Sequence, residues 1–398
     1  MKKHLVLVVG SFYPNPSPTG KCAEAYVDLL KDKFDITVVC LADMDRVPYE
    51  YKDKQVYPTA GWYTLLQHRL KKNAPALLQN IAKIPVHLRQ GFTQPNNLYS
   101  YVKAARMQLE NVHKRRPIDV VLSVAAPMAA HVAAYKFRNK HPNVRWITYT
   151  VDSYAAQNKG SIKAHQFETN ILSQCDCVLL SEEIYEANPN LYESFVEKCK
   201  PLPYLMPPTQ LRLGDVQYFS KDKVNLVYAG RFYKSIRNPE YLLQLALEMD
   251  DNCVLHLYCR SDCESMIDGY VSRSAGKIVR HTPVSVEEIQ QIYKQADILV
   301  SVGNNTPEFK PSKTFEYIAS GKPILNIYYE GLCDTVLERY PLALQLQRDG
   351  MMKKDVETLS LFVKGQGNKF LSEREINELF QEHSGSNIKS ILGSAMSV

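Results

Sequence analysis

No stretch of this sequence approaches the roughly 18 consecutive apolar residues that a membrane-spanning helix needs. The apolar run Leu5–Val9 within MKKHLVLVVG is too short for the core of a signal peptide and reads instead as a buried first strand. Paired CxxC motifs are also missing. The nine cysteines scatter from Cys22 to Cys333, and the close pairs Cys175/Cys177 and Cys259/Cys263 lack zinc-site spacing, so no metal is expected. An odd count of scattered thiols suits a reduced, cytoplasmic protein. The GxGxxG fingerprint is absent, which argues against a dinucleotide cofactor. There is no low-complexity tract and no short internal repeat. With 45% hydrophobic and 23% charged residues over 398 positions, the chain can bury two cores and is globular rather than disordered.

What is present is alternation. Apolar runs at LVLVV (5–9), ITVVC (36–40), DVVLSVA (119–125), WITYTVD (146–152) and DCVLLSE (176–182) predict one parallel sheet, with AEAYVDLLKDKF (23–34) as a crossover helix. Prolines crowd residues 201–222 and remove backbone donors, which predicts a linker. The pattern then restarts with VNLVYAG (224–230), CVLHLYC (253–259), ILVSVG (298–303) and PILNIYY (323–329), and with helices at Pro239–Glu248, Ser285–Gln295 and Lys313–Ser320. The expected organisation is a domain at 1–205, a linker at 206–222 and a second domain at 223–398, with the last helix returning to the first domain. The expected fold class is α/β, two doubly wound domains facing a cleft.

Doubly wound sheets bind ligands at the carboxyl ends of their strands, and three such loops carry unusual chemistry. In GSFYPNPSPTGKCAEA (10–25), Gly20 before a helix would let backbone approach a phosphate or sugar, or is simply a turn glycine. In AGRFYKSIRNPEYL (229–242), Arg231, Lys234 and Arg237 crowd one strand-to-helix turn, which suits a diphosphate; a solvated basic loop is the plainer account. In EFKPSKTFE (308–316), Pro311 and Ser312 start a helix with Lys313 and Thr314 in its first turn, while Glu308 precedes it and Glu316 lies one turn in. The two carboxylates would then meet two ends of one ligand, Glu316 a ribose and Glu308 a hexose, although two surface acids at this spacing are common.

The stretch PEFKPSKTFEYIASGKPIL (307–325) resembles the signature of the retaining, nucleotide-sugar-dependent glycosyltransferases of family four, the bacterial polysaccharide and glycolipid type, which have the GT-B fold. Glu308, Pro311, Glu316 and ASGKPI (319–324) follow the family's order. Arg231 and Arg237 resemble its diphosphate clamp, though the second cation is usually Lys one position earlier. SVEEIQQIYKQADILVS (285–301) is similar to the segment leading into the signature, and QFETNILSQCDCVLLSEE (166–183) to a weaker pattern in the amino half. The resemblance implies transfer of a hexosyl group from a nucleoside diphosphate sugar to a hydroxyl, with retention and without a cofactor or obligatory metal. The residues and the resemblance together lead to the expectation that Arg231, Arg237 and Lys313 stabilise the leaving diphosphate, that Glu308 acts at the hexose, and that Glu316, Ser312, Thr314, Lys234, Gly20 and Asp152 contact substrates. Two departures stand out: Val151 precedes Asp152 where many members carry His or Arg, and CRSDC (259–263) replaces a glycine-containing turn. A noncatalytic nucleotide-sugar-binding subunit and a GT-B-like epimerase remain alternatives.

Between Lys54 and Leu109 there is no Asp or Glu but eight cations, more than the whole chain's net charge of +6. With Trp62, Tyr63 and leucine pairs interleaved, this segment suits an anionic bilayer surface, or a helix with a solvated basic face. No recognition motif accompanies the charge, so nucleic acid is not expected. The expectation is a cytoplasmic enzyme, peripheral on the inner face of the cell membrane, with a sugar or lipid-linked acceptor.

Overall fold

The computed structural model describes the chain apart from residues 1, 15, 43–46, 61–98, 159, 208–215, 307–312, 367–368 and 398. Glu308, Pro311 and Ser312 lie outside the described residues, as do Trp62, Tyr63, Arg69, Lys71, Lys72, Lys83 and Arg89. The chain divides into two units: Met1–Tyr204 with Gly385–Val398, and Leu205–Ser384.

The first unit holds an eight-stranded sheet in the order β3-β4-β2-β1-β5-β6-β7-β8. Its strands are β1 (Lys3–Val9), β2 (Phe34–Leu41), β3 (Tyr49–Tyr51), β4 (Lys54–Thr59), β5 (Val120–Ala125), β6 (Arg145–Thr150), β7 (Cys177–Leu180) and β8 (Cys199–Pro201). All pair in parallel except β3 with β4. The central strands are near-continuous apolar runs because both faces are covered. Among the helices, α1 (Pro18–Leu30), α2 (Tyr99–Arg115), α3 (Ala129–Arg138), α4 (Ile162–Leu172) and α5 (Glu182–Ala187) follow in chain order. Helix α1 starts five residues before the expected crossover helix, because Ser17 caps it and Pro18 suits its first turn.

The second unit is a six-stranded, wholly parallel sheet in the order β11-β10-β9-β12-β13-β14. It comprises β9 (Val224–Phe232), β10 (Cys253–Ser261), β11 (Ile278–His281), β12 (Ile298–Val302), β13 (Ile324–Tyr328) and β14 (Ala343–Gln347). Helices α6 (Glu240–Glu248), α7 (Glu264–Arg273), α8 (Val286–Gln295), α9 (Lys313–Ala319) and α10 (Met352–Gln366) connect or cover them. The last helix, α11 (Gly385–Met396), packs in the first unit against α1 and β6. Arg145 Nε there donates to Ala395 O at 2.8 Å, and Lys389 pairs with Asp32 at 3.1 Å. In each sheet the strand order reverses once, between β1 and β5 and between β9 and β12, which marks the two places where loops diverge and leave a crevice.

The first core contains a buried polar knot. Trp146 Nε1 donates to Ser123 Oγ at 2.9 Å, and that hydroxyl lies 2.7 Å from His131 Nδ1. His131 is fully buried, and burial lowers its pKa from 6.5 to about 3. Because the unfolded chain takes up this proton near pH 6.5 and the folded one only near pH 3, stability falls as pH drops through that window. By pH 5 the loss is about 2 kcal/mol relative to pH 7. Urea unfolding at both pH values, followed by tryptophan fluorescence, should show this difference in the native protein and a difference smaller by about that amount in His131→Gln.

Candidate functional site

In the second unit the chemistry-bearing side chains gather where β9 and β12 part. Residue 231 is the penultimate position of β9, and the chain then folds back on itself through an antiparallel bridge between Tyr233 and Arg237. Tyr233 N donates to Arg237 O at 3.1 Å, and Arg237 N to Tyr233 O at 2.9 Å. This tight turn aims the Arg237 guanidinium across the sheet edge: Nε donates to Asn304 Oδ1 at 3.0 Å, just past β12, and Nη1 reaches Arg231 O at 3.5 Å. One guanidinium therefore ties together the two loops at the switch point. Arg231 is exposed, with its guanidinium 5.0 Å from the ring centre of Tyr233. Lys234 is exposed as well, and its backbone N–H is held by Asp262 Oδ1 at 2.7 Å, joining the β9 loop to the end of β10.

Helix α9 enters the same region. Lys313 Nζ donates to Tyr293 Oη at 2.8 Å and lies 3.6 Å from Glu316 Oε2. Tyr293 is buried, and its hydroxyl pKa is raised well above 10 by burial and then by the Glu316 charge. Tyr228 connects the two groups. Burial raises it to about 12, while the charges of Arg237 and Lys313 both pull it down, so both cations lie within electrostatic reach of one phenol. Tyr317 Oη on α9 lies 3.4 Å from Ala229 O, which tethers the helix to β9. Thr314 is not part of this group: it is 2% exposed, and its hydroxyl donates to Asp334 at 2.9 Å.

Behind the cationic loop, Tyr329 Oη accepts from Arg348 Nη1 at 2.6 Å and from Asn238 N at 3.3 Å, and Asn238 Oδ1 accepts from Glu240 N at 2.9 Å. The residue next to Arg237 is thus anchored to the ends of β13 and β14. A cavity of about 360 Å³ opens beside Ser261, at the carboxyl ends of β10 and β11, with Arg260, Glu264, Arg280 and His281 in its wall. The sequence reading did not single out Asn304, Tyr329, Arg348 or His281. The detectable signal was only the position of Asn304 directly after an apolar strand.

In the first unit, Gly20 sits in the first turn of α1, and its N–H donates to Ser17 Oγ at 3.3 Å. A Cβ there would lie 2.6 Å from Ser11 O and 2.9 Å from Pro16 Cβ. The glycine is required by the loop's own packing. Gly10, at the end of β1, is closer still: a Cβ would lie 2.1 Å from Pro127 Cδ in the loop after β5, so the two loops at this switch point are in direct contact. Asp152 follows β6, and burial raises its pKa. Its charge is felt by Cys22, which burial lifts to about 11, and by Tyr204. Its loop is held by the buried Glu168, which accepts from Ser153 Oγ at 2.9 Å, Tyr154 N at 3.0 Å and Ala155 N at 2.8 Å.

No protein-family model and no curated protein sequence matches the chain. Solved structures do. Sucrose-phosphate synthase from Thermosynechococcus elongatus aligns over 98% of both chains with a TM-score of 0.67 at 13% identity. HepE from Anabaena, in complex with UDP-glucose, aligns over 98% of this chain and 99% of its own with a TM-score of 0.61 at 10% identity. The lipopolysaccharide outer core galactosyltransferase WaaB, in its apo form, covers 98% and 99% with a TM-score of 0.55 at 12% identity. The chain has the GT-B fold. Within the second unit of this GT-B chain, Arg231, Lys234 and Arg237 lie at and just after the carboxyl end of β9, and Lys313 and Glu316 lie on α9, which is tethered to β9. Gly20 and Asp152 belong to the other domain, and Glu308 and Ser312 fall outside the described residues.

Proposed function

We propose that the protein is a retaining glycosyltransferase that moves a hexosyl group from a nucleoside diphosphate sugar to an acceptor hydroxyl, in surface polysaccharide or glycolipid assembly. The observation that carries this reading is Arg237, which bridges the β9 and β12 loops at the switch point of a GT-B chain, with Arg231 and Lys313 beside it. Cations gathered at the carboxyl end of β9 stabilise the charge that grows on a departing diphosphate, and the side-chain hydrogen bonds that hold Arg237 and Lys313 in place reduce their reorganisation during the reaction. Lys313, paired with Glu316, supports a role for the carboxylate at the ribose: its oxygens can accept from vicinal hydroxyls. Glu308 is assigned to the hexose and Ser312 to the phosphate side from the sequence alone, by their places around the expected helix start and by the resemblance. The solved relatives of this fold include one holding UDP-glucose and one that is a galactosyltransferase, which supports a hexosyl donor.

Among the described residues no helix is long and apolar enough to cross a membrane. Peripheral attachment through the basic segment 54–109 is part of the proposal, and its central residues lie outside the described ones.

Incubation with a panel of labelled sugar nucleotides tests the reaction. Release of nucleoside diphosphate only when acceptor is present, with the product's anomeric configuration matching the donor's by NMR, is the expected result. Sugar isomerisation without acceptor identifies an epimerase, and binding without turnover a noncatalytic subunit. Co-sedimentation with liposomes should require anionic lipid, decline with salt and weaken when Arg69, Lys71 and Lys72 become Gln; equal binding to neutral vesicles removes the membrane assignment.

A further inference from the structure

The cavity beside Ser261 has one wall whose hydrogen-bonding polarity is set from inside the core. The Asn225 amide nitrogen faces three acceptors: Ser220 O at 3.0 Å, Lys223 O at 3.0 Å and Asp297 Oδ2 at 3.1 Å. This fixes the amide's orientation, because only the NH₂ end can satisfy them. Its oxygen, 3.2 Å from His256 Nε2, must therefore accept, so Nε2 of His256 carries the proton and Nδ1 is bare. That bare nitrogen lies 2.9 Å from His281 Nε2, which must in turn be the donor. A neutral imidazole has one N–H, so His281 Nδ1 is left as an acceptor. Asn225 and His256 are 4% and 8% exposed, and Phe219 packs on the His256 ring at 4.4 Å. His281 is more open: it ends β11, stacks flat on Tyr258 at 4.3 Å and 4°, and lines the cavity. Its Nδ1 has no partner among the described residues. Burial keeps both imidazoles below the ordinary 6.5, His256 at about 4, so the relay is neutral at pH 7.

We propose that His281 is a specificity-determining residue for the donor's nucleobase: its Nδ1, held as a bare acceptor by the chain Asn225–His256–His281, selects a base whose ring carries an N–H next to a carbonyl, as N3 does in uracil and thymine and N1 does in guanine. This rests on the nucleotide-sugar reading above. The ring nitrogen at the corresponding edge of cytosine or adenine is itself a lone pair, so it would face the His281 lone pair across the gap. Arg260, exposed in the same wall, is a donor for the carbonyl flanking that ring N–H. Arg280 is committed to Glu264 and to Asp268, the latter at 2.7 Å.

Calorimetric titration of the full chain with UDP, TDP, GDP, CDP and ADP is the first arm. The tightest ligand should be one of the first three, and methylating that ring nitrogen (N3 of uracil or thymine, N1 of guanine) should cost about tenfold or more in affinity. In His281→Phe, which keeps a flat ring on Tyr258, the methylated and unmethylated ligands should bind within about twofold of each other. Imidazole ¹⁵N spectra form the second arm: both His256 and His281 should be Nε2–H tautomers. His256→Gln, whose amide can donate to Asn225 and accept from His281, should preserve the discrimination, whereas His256→Leu should erode it. Preference for CDP or ADP, an equal methylation cost in native protein and His281→Phe, or an Nδ1–H tautomer at His281 overturns the proposal. Binding of none of the five overturns the nucleotide reading itself and this assignment with it, a result distinct from binding without base selectivity.

Discussion

Arg237→Ala should lower kcat/KM by about a hundred- to a thousandfold, the range for losing a preorganised charge-stabilising donor. Two losses combine in this variant. The guanidinium that would meet the departing diphosphate disappears, and so does the link between Asn304 Oδ1 and Arg231 O that holds the two switch-point loops together. Arg231→Ala should cost less, about tenfold to a hundredfold, because Arg231 is exposed and its guanidinium packs only on Tyr233. Arg237→Lys restores a charge without the fork that reaches both loops, so it should recover only part of the activity. Steady-state kinetics with the preferred donor would decide it: native kcat/KM in both alanine variants would require a different phosphate site.

Glu316→Gln should weaken nucleoside diphosphate binding by about 1.5–3 kcal/mol, the worth of a charged hydrogen-bond partner. Its side chain is 21% exposed and lies 3.6 Å from Lys313 Nζ, with the buried Tyr293 against the same ammonium. Removing the charge thus leaves the ribose hydroxyls a poorer acceptor while Lys313 keeps its bond to Tyr293. Glu308→Gln should differ in kind, sparing diphosphate affinity and reducing turnover, since a hexose contact exists only with intact donor. Calorimetry with the free diphosphate separates the two. Unchanged affinity in Glu316→Gln sinks the ribose assignment.

The fold was legible where burial forces a simple pattern. Every apolar run read as a strand is one, because a parallel strand covered on both faces must be apolar throughout. The strands that escaped notice are short or mixed. IVRH in β11 has only one fully buried residue, and β3, β8 and β14 expose part of their length. One of these carries His281, so the sequence pattern was weakest where a candidate base contact resides.

The sequence by itself determined the α/β alternation and concentrated Arg231, Lys234 and Arg237 in one turn, since period and local charge are properties of neighbours along the chain. It could not say that Arg237 reaches Asn304, 67 positions away, or that Thr314 turns inward to Asp334. Nor could it orient the amide of Asn225, which takes Ser220 and Lys223 from the turn just before it but Asp297 from 72 positions away. Such choices belong to the tertiary structure alone, because strand order and register decide which side chains meet, and a hydrogen bond's direction follows from all the partners present.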